Sequence, residues 1–319
     1  MLLFILKINL GGEKMKKVLL VLVMLVMGIS MFAKVGKLND FDLKKGEKKA
    51  ILLVSFGTTY PETREKTIGA LEKEFKASYP NFKVATAFTS RIIMRRIKKN
   101  EGITYDNPSE ALKKLKKDGY THILVQGTHI MNAVESETLK MEVENYKKDF
   151  KVLKVSTPLL TSVEDYKEVV EALKPTYKNL KKDEAVVFIG HGTHHSGNSA
   201  YAMLEHVFHQ KGIENAFLGT VEGYPALDDV VANLKKAKIQ TVELYPFMIV
   251  AGDHANNDIA VDMKEELEKN GFTVNVHLVG LGENKGIRKV FVEHAEFGLI
   301  HKEENMLAKK KEYANGMQL

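Results

Sequence analysis

The chain contains no cysteine. Disulfides, thiolate nucleophiles, cysteine zinc sites and a lipid anchor on cysteine are therefore excluded, and any metal must be held by histidine, carboxylate or backbone oxygen. No recognised nucleic-acid motif accompanies the net charge of +6. The excess lies in lysine pairs and triplets on faces of helical spacing, so no nucleic-acid partner is expected. A mildly basic surface does suit an anionic small molecule. The apolar run near the N-terminus, Val18 to Met27, falls short of the roughly 20 residues that a membrane span needs. What remains is 319 residues, 44% hydrophobic and 28% charged, the composition of a soluble globular protein of one or two domains.

The N-terminus carries a targeting pattern. Lys16 and Lys17 precede the apolar run, and small residues follow as far as Ala33. Basic, apolar, small is the order of a secretory signal peptide. Cleavage after Ser30 or after Ala33 starts the mature chain at Met31 or Lys34; an uncleaved N-terminal anchor is the alternative reading. The stretch Gly11-Gly12-Glu13-Lys14 is what a purine-rich ribosome-binding site would encode if read as protein, so translation is expected to begin at Met15. The expected location is periplasmic or otherwise exported, with the membrane involved only through the signal peptide.

Beyond a polar segment, Lys34 to Lys49, strand and helix signals alternate. "AILLVSF" is a continuous apolar run ending at Gly57, as in a strand buried on both faces. "YPETREKTIGALEKEFKASY" has helical spacing, with Ile68, Leu71 and Phe75 on one face. "KVATAFTS", "THILVQGT" and "KVLKVSTPLL" read as strands, and "NPSEALKKLKKDG" and "SETLKMEVENYKKDF" as helices. The order then restarts. "AVVFIGHGTHH", "NAFLGTVEG", "TVELYPFMIVAGDH" and "TVNVHLVGLG" read as strands, separated by the helices "NSAYAMLEHVFHQKG", "PALDDVVANLKKAK" and "NNDIAVDMKEELEKNG". Alternation of this kind implies parallel sheets covered by helices. The expected fold is α/β, with two similar Rossmann-like or flavodoxin-like domains. The expected division is a leader and signal peptide at 1–33, an N-terminal domain at 34–175 and a C-terminal domain at 176–319 that carries the site.

The two halves resemble each other. "LVSFGTT" parallels "FIGHGTH", with Phe56 opposite His191, and "TAFTS" parallels "LGTVEG", with Ser90 opposite Glu222. This reads as an internal duplication in which only the second copy holds polar chemistry. Phe56→Ala is expected to act through stability, at about 3–5 kcal/mol if Phe56 is a core residue.

Ligands of parallel sheets bind beyond the carboxyl ends of the strands. In the second half three polar residues fall at such ends: His191 after "VVFIG", Glu222 after "FLGTV" and His254 after "FMIVAGD". They are separated by about one strand-helix unit each, so three neighbouring strands can present them to one crevice. Two imidazoles and a carboxylate suit divalent first-row metals and leave coordination positions open. Adjacent glycines (Gly190, Gly192, Gly223 and Gly252) permit close approach of a large ligand. Phe56, Ser90, His129 and His194 are candidate substrate contacts. His206 and His209 read as a solvated helix face, and His122 and His277 as packing residues.

At these residues the sequence resembles the anaerobic sirohydrochlorin cobalt chelatases, class II chelatases similar to ferrochelatases in fold. "LLVSFGTT", "FTS", "GHGTHH", "GTVEGYP" and "PFMIVAGDHANND" carry the resemblance, which spans about Lys48 to Val290. "QGTHIMNAVESETL" departs from it, lacking the proline and glycine of the family's "PLHIIPGEEY"-like stretch. The resemblance implies that His191, Glu222 and His254 are the metal ligands and catalytic residues. It further implies that a tetrapyrrole lies between the two domains, and that a divalent metal, Co2+ foremost with Fe2+ or Ni2+ as alternatives, is inserted into sirohydrochlorin. Arg91, Arg95 and Arg96 are positioned to meet the substrate's carboxylates or to form a solvated helix face. No organic cofactor is required, although haem is compatible with exported relatives, and so is a homo-oligomer. The competing reading is an exported metal- or haem-binding or transport protein on the same scaffold.

The export reading has a direct test. Cell fractionation should recover a chain shortened to about Met31 or Lys34 outside the cytoplasm, and full-length protein confined to the cytoplasm would reject it.

Overall fold

The structure, a computed structural model, describes residues 40–301 and Lys310. The leader, the signal peptide and both cleavage points lie outside the described residues. The first strand, β1 (Lys49–Ser55), is buried from Ala50 onward. It pairs in parallel with β2 (Lys83–Phe88) and β3 (His122–Gly127), and β3 pairs with β4 (Val152–Val155). The second sheet repeats the arrangement with β5 (Glu184–Gly190), β6 (Ala216–Thr220), β7 (Thr241–Pro246) and β8 (Thr273–Val276). The two orders are β2-β1-β3-β4 and β6-β5-β7-β8, all parallel. Equal order in both sheets is what an internal duplication produces.

The register beyond the strands repeats as well. Thr89 and Ser90 donate their N–H groups to the carbonyls of Ser55 and Phe56, at 2.9 and 3.2 Å. Val221 and Glu222 donate to Gly190 and His191 at 3.0 and 2.8 Å. Gly57 and Gly192 both take φ in the left-handed region, +95° and +84°, a conformation that glycine adopts without a Cβ penalty. The alignment of Phe56 with His191 and of Ser90 with Glu222 is thus a backbone fact.

Helices cover both faces of each sheet. In the first half, α1 runs from Pro61–Arg64 through a π-helical stretch, Glu65–Gly69, into Ala70–Ser78. It buries Ile68, Leu71 and Phe75, the face its spacing indicated. Next come α2 (Arg91–Glu101), α3 (Pro108–Lys117), α4 (Val134–Glu144) and α5 (Val163–Ala172). The second half has α6 (Ser199–Gln210), α7 (Leu227–Lys236) and α8, a π-helical Ala255–Met263 continued by Lys264–Lys269. Several strands are shorter than their apolar runs. β7 stops at Pro246, which has no N–H to offer the ladder, and β4 stops before Ser156-Thr157-Pro158.

The last helix, α9 (Lys285–Ile300), crosses back to the first half. The Tyr79 hydroxyl donates to the carbonyl of Val292 at 2.8 Å, and Ser156 Oγ donates to that of His294 at 2.7 Å. His294 is buried and pairs with Asp165 at 3.0 Å. One apolar cluster therefore runs through both halves, from Phe41, Leu71 and Phe75 to Phe188, Phe208 and Phe291.

His122 is buried against Phe41, with ring centroids 6.0 Å apart, and burial pushes its imidazole below the usual range. His277 stacks on Tyr245 with centroids 4.3 Å apart, and its Nε2 lies 2.5 Å from Glu243. Both are packing residues. On α6, His206 is exposed, whereas His209 is part-buried, with Nε2 3.2 Å from the carbonyl of Ala216.

Phe41 anchors the segment ahead of β1. It is 1% exposed and packs on Phe82 at 6.1 Å between ring centroids. Phe41→Ala should lower stability by about 3–5 kcal/mol, because it would leave a cavity among Phe82, His122 and the core of the first sheet. Urea denaturation measures this, and a loss under 1 kcal/mol would show that the segment is not part of the folding unit.

Candidate active site

Parallel pairing decides where the site residues stand. β5 is flanked by β6 and β7, so the residues after these three strands emerge side by side at one edge. His191 leaves from the central strand, Glu222 from β6, and His254 opens α8 after the β7 loop. The structure brings all three together. His191 Nδ1 lies 4.0 Å from Glu222 Oε2, and the two imidazole rings stand edge to face with centroids 4.6 Å apart.

The hydrogen bonds of the two rings set their tautomers. His191 Nδ1 lies 3.0 Å from the carbonyl of Gly192, and His254 Nδ1 lies 2.5 Å from Asp258 Oδ2. A carbonyl and a carboxylate only accept, so Nδ1 carries the proton in each neutral ring and Nε2 keeps its lone pair. A carboxylate behind the donor ring is the usual way in which a protein orients a metal-binding histidine. Asp258, one helical turn beyond His254, was not singled out from sequence, although i, i+4 spacing on a helix was the available signal.

The three side chains are open to solvent: 46% exposed for His191 and His254, and 60% for Glu222. Among the described residues no three His, Asp or Glu side chains already close around one point. A shared ion with bonds of about 2 Å to nitrogen is reached by rotating exposed side chains, without repacking the core.

The loops that carry these residues are locked to each other. A Cβ on Gly192 would stand 2.6 Å from the N of Gly223, and one on Gly190 would stand 2.2 Å from the Tyr201 ring. Glycine at these positions serves close packing, of backbone on backbone at Gly192 and of the Tyr201 ring on Gly190, rather than only the approach of a large ligand. Gly192 N–H donates to the Tyr201 hydroxyl at 3.2 Å.

Loops from the carboxyl ends of the first sheet face this edge. A Cβ on Gly252 would stand 3.4 Å from Thr58 Oγ1. Arg96 on α2 pairs with Asp253 at 3.4 Å, and burial together with the nearby Asp253 carboxylate pushes the Tyr60 hydroxyl up. His195 Nε2 lies 3.3 Å from Glu137 on α4. Arg91 and Arg95 are exposed on α2, near the same edge.

The four candidate substrate contacts divide. Phe56 is 51% exposed, which corrects the expectation of a core residue. It follows the last residue of β1 and sits in the crevice position that His191 takes in the second half. Ser90 caps α2, its Oγ accepting from Ile93 N at 3.4 Å. His194 is exposed on the His191 loop. His129 has a buried Nε2 with no hydrogen-bond partner.

Burial drives the His129 imidazole down to about 4. The folded chain then leaves this ring neutral where the unfolded chain protonates it. Its contribution is fully present above about pH 6.5 and is lost as pH falls toward 4, by up to about 3 kcal/mol. Urea unfolding from pH 7.5 to 4.5 should show a steeper loss for wild type than for His129→Gln; parallel curves would mean that the folded ring takes the proton.

Comparison with known proteins gives the family. The model described as Cobalt chelatase (CbiK) matches residues 49–299. A Salmonella typhimurium protein named sirohydrochlorin cobaltochelatase is 41% identical over 251 residues, covering 77% of this chain and 95% of its own. Sirohydrochlorin cobaltochelatase CbiKC of Nitratidesulfovibrio vulgaris is 32% identical over 254 residues, covering 77% and 89%. Among solved structures, SirB from Bacillus subtilis with Fe3+ has a TM-score of 0.59 at 15% identity, over 79% of this chain and 96% of that one, a likeness of fold. With a family match across both sheets and relatives covered almost end to end, the chain belongs to the CbiK cobalt chelatase family.

Proposed function

We propose that this protein inserts a divalent metal into sirohydrochlorin, with Co2+ as the physiological ion and His191, Glu222 and His254 as its ligands during transfer. The observation that carries the assignment of residues is the gathering of two imidazole rings, with centroids 4.6 Å apart, and the Glu222 carboxylate, 4.0 Å from His191, at the carboxyl edge of three adjacent strands. Family membership supports the reaction. It favours turnover over the exported binding or transport protein that the same scaffold also suits.

Insertion must desolvate the ion, deform the macrocycle and remove two pyrrole protons. His191 and His254 hold the incoming ion as neutral donors through Nε2. Glu222 adds a negative charge that offsets the ion and replaces water. Three protein ligands leave positions free, so the pyrrole nitrogens displace the remaining waters one at a time. As each metal–nitrogen bond forms a pyrrole proton leaves, and an imidazole whose Nε2 has given up the ion to the macrocycle regains the lone pair that receives a proton near neutrality. Asp258 holds the His254 ring in place while this happens. Arg91 and Arg95 meet the peripheral carboxylates of the substrate from α2, and the exposed Phe56 ring offers an apolar face to the macrocycle.

Export fits the basic and apolar N-terminus, and the reaction then takes place outside the cytoplasm. Fe2+ and Ni2+ satisfy the same ligand set. An anaerobic insertion assay with the three ions therefore ranks them.

His191→Ala and His254→Ala should each abolish insertion with little change in Tm, since both side chains are half-exposed. Glu222→Gln keeps volume and removes charge, so Co2+ affinity and insertion should fall together while tetrapyrrole binding survives. Calorimetric titration of Co2+ with circular dichroism as the folding control measures this. Unchanged affinity in folded Glu222→Gln would take Glu222 out of the site.

A further inference from the structure

Two of the three proposed ligands sit on loops that one further side chain ties together. Asn198 stands just before α6. Its Oδ1 accepts from Thr193 N, two residues after His191, at 3.1 Å. Its Nδ2 donates to the carbonyl of Tyr224, two residues after Glu222, at 2.6 Å. The network fixes the amide orientation, because Thr193 N–H can only donate and the Tyr224 carbonyl can only accept. Oδ1 also lies 2.5 Å from where a Cβ on Gly223 would stand. The amide therefore fills the angle between the two loops at the place where Gly192 and Gly223 touch.

We infer that Asn198 is a positioning residue for metal transfer. It sets the separation of His191 from Glu222 by bonding one loop with its carbonyl and the other with its amino group. The inference rests on the chelatase reading given above.

The local chemistry argues for this over general bracing. The first strand-end loop is already fixed by the Tyr201 hydroxyl on Gly192 N–H, and the backbone pair from Glu222 N to the His191 carbonyl joins the loops at their base. Asn198 bridges the two turns beyond that pair, at Thr193 and Tyr224, and so fixes the backbone that leads directly out of His191 and Glu222. The His191 and Glu222 side chains are half-exposed or more, so core packing does not orient them. Supporting groups of this kind typically contribute 10–100-fold to metal affinity.

The test uses the full mature chain and Co2+ alone, read by titration and by the visible ligand-field absorption of bound Co2+. Asn198→Ala should weaken Co2+ binding about 10–100-fold, alter that absorption and reduce insertion, with KM for sirohydrochlorin unchanged. Asn198→Asp keeps the acceptor for Thr193 but sets a carboxylate against the Tyr224 carbonyl. An added negative charge by itself would raise Co2+ affinity, so a fall in this variant isolates the lost bridge. Asn284→Ala is the control. Asn284 makes the same kind of bonds at the start of α9, accepting from Gly286 N at 2.8 Å and donating to the Ala172 carbonyl at 2.7 Å. It should lose Tm and leave the Co2+ spectrum intact. The proposal is overturned if Asn198→Ala loses only Tm, as Asn284→Ala does, or if Asn198→Asp binds Co2+ as well as wild type or better. If wild type binds Co2+ yet inserts none into sirohydrochlorin, the chelatase reading falls, and the binding arms still decide the role of Asn198.

Discussion

Parallel pairing of β6, β5 and β7 is the constraint on which the rest depends. Neighbouring parallel strands lie about 4.8 Å apart, and all their carboxyl ends point one way. His191 and Glu222, one and two residues past neighbouring ends, are then within reach of each other, and the loop after β7 returns His254 to the same edge. The ladder continues past the strands, with Val221 and Glu222 donating to the Gly190 and His191 carbonyls. The β5 and β6 loops consequently leave the sheet as a bonded pair. Close backbone contact between Gly192 and Gly223 follows from that pairing, and both positions exclude a side chain.

The first half shows what the scaffold looks like without the metal chemistry. Its strand order, its loop hydrogen bonds and the left-handed glycine at 57 match the second half. In place of His191 stands an exposed Phe56, and in place of Glu222 stands Ser90, which caps a helix. The backbone therefore has no need of a histidine or a carboxylate at these points. Their presence in one copy only is a difference of chemistry on a common frame, and it leaves one face of the crevice apolar and basic and the other ligand-bearing.

Much of this was legible in the sequence, for identifiable reasons. Strands buried on both faces produce unbroken apolar runs, so β1, β3 and β5 declared themselves, and the chain order of strands and helices implied parallel sheets. Residues 191 and 222 were readable because strand ends are readable; His254 was read as the end of a longer strand, but β7 stops at Pro246 and His254 opens a helix on the same edge. Phe56 was misjudged because an aromatic that follows an apolar strand looks like more core; only the φ of Gly57 and the turn it makes show that the ring leaves the sheet. Asn198 was not found because the two loops it bonds are brought together only by the tertiary fold, whereas Asp258 was overlooked although its i, i+4 spacing from His254 was legible. The path of α9 was equally hidden. Its apolar positions, Ile287, Val290, Phe291 and Leu299, predict a buried face but do not say which half it buries against.

That path makes the two halves unequal in how they are joined. On one side α9 packs its apolar face into the first half and continues a single core across the boundary, with the His294–Asp165 pair and the Tyr79 hydroxyl inside it. On the crevice side the joins are smaller, with Val250 packed on the Ile68, Phe88 and Ile97 cluster of the first half and polar pairs beside it. Arg96 and Asp253 are 58% and 51% exposed at 3.4 Å, and an exposed pair of this kind contributes about 0–1 kcal/mol. Burial of a side chain such as Phe291 contributes about 1.5–3 kcal/mol, so the α9 side holds the halves together and the crevice side latches them lightly. Asp253 precedes His254 directly. The polar latch and the metal-binding ring therefore share one loop, and the Arg96–Asp253 contact lies one peptide unit from the ligand.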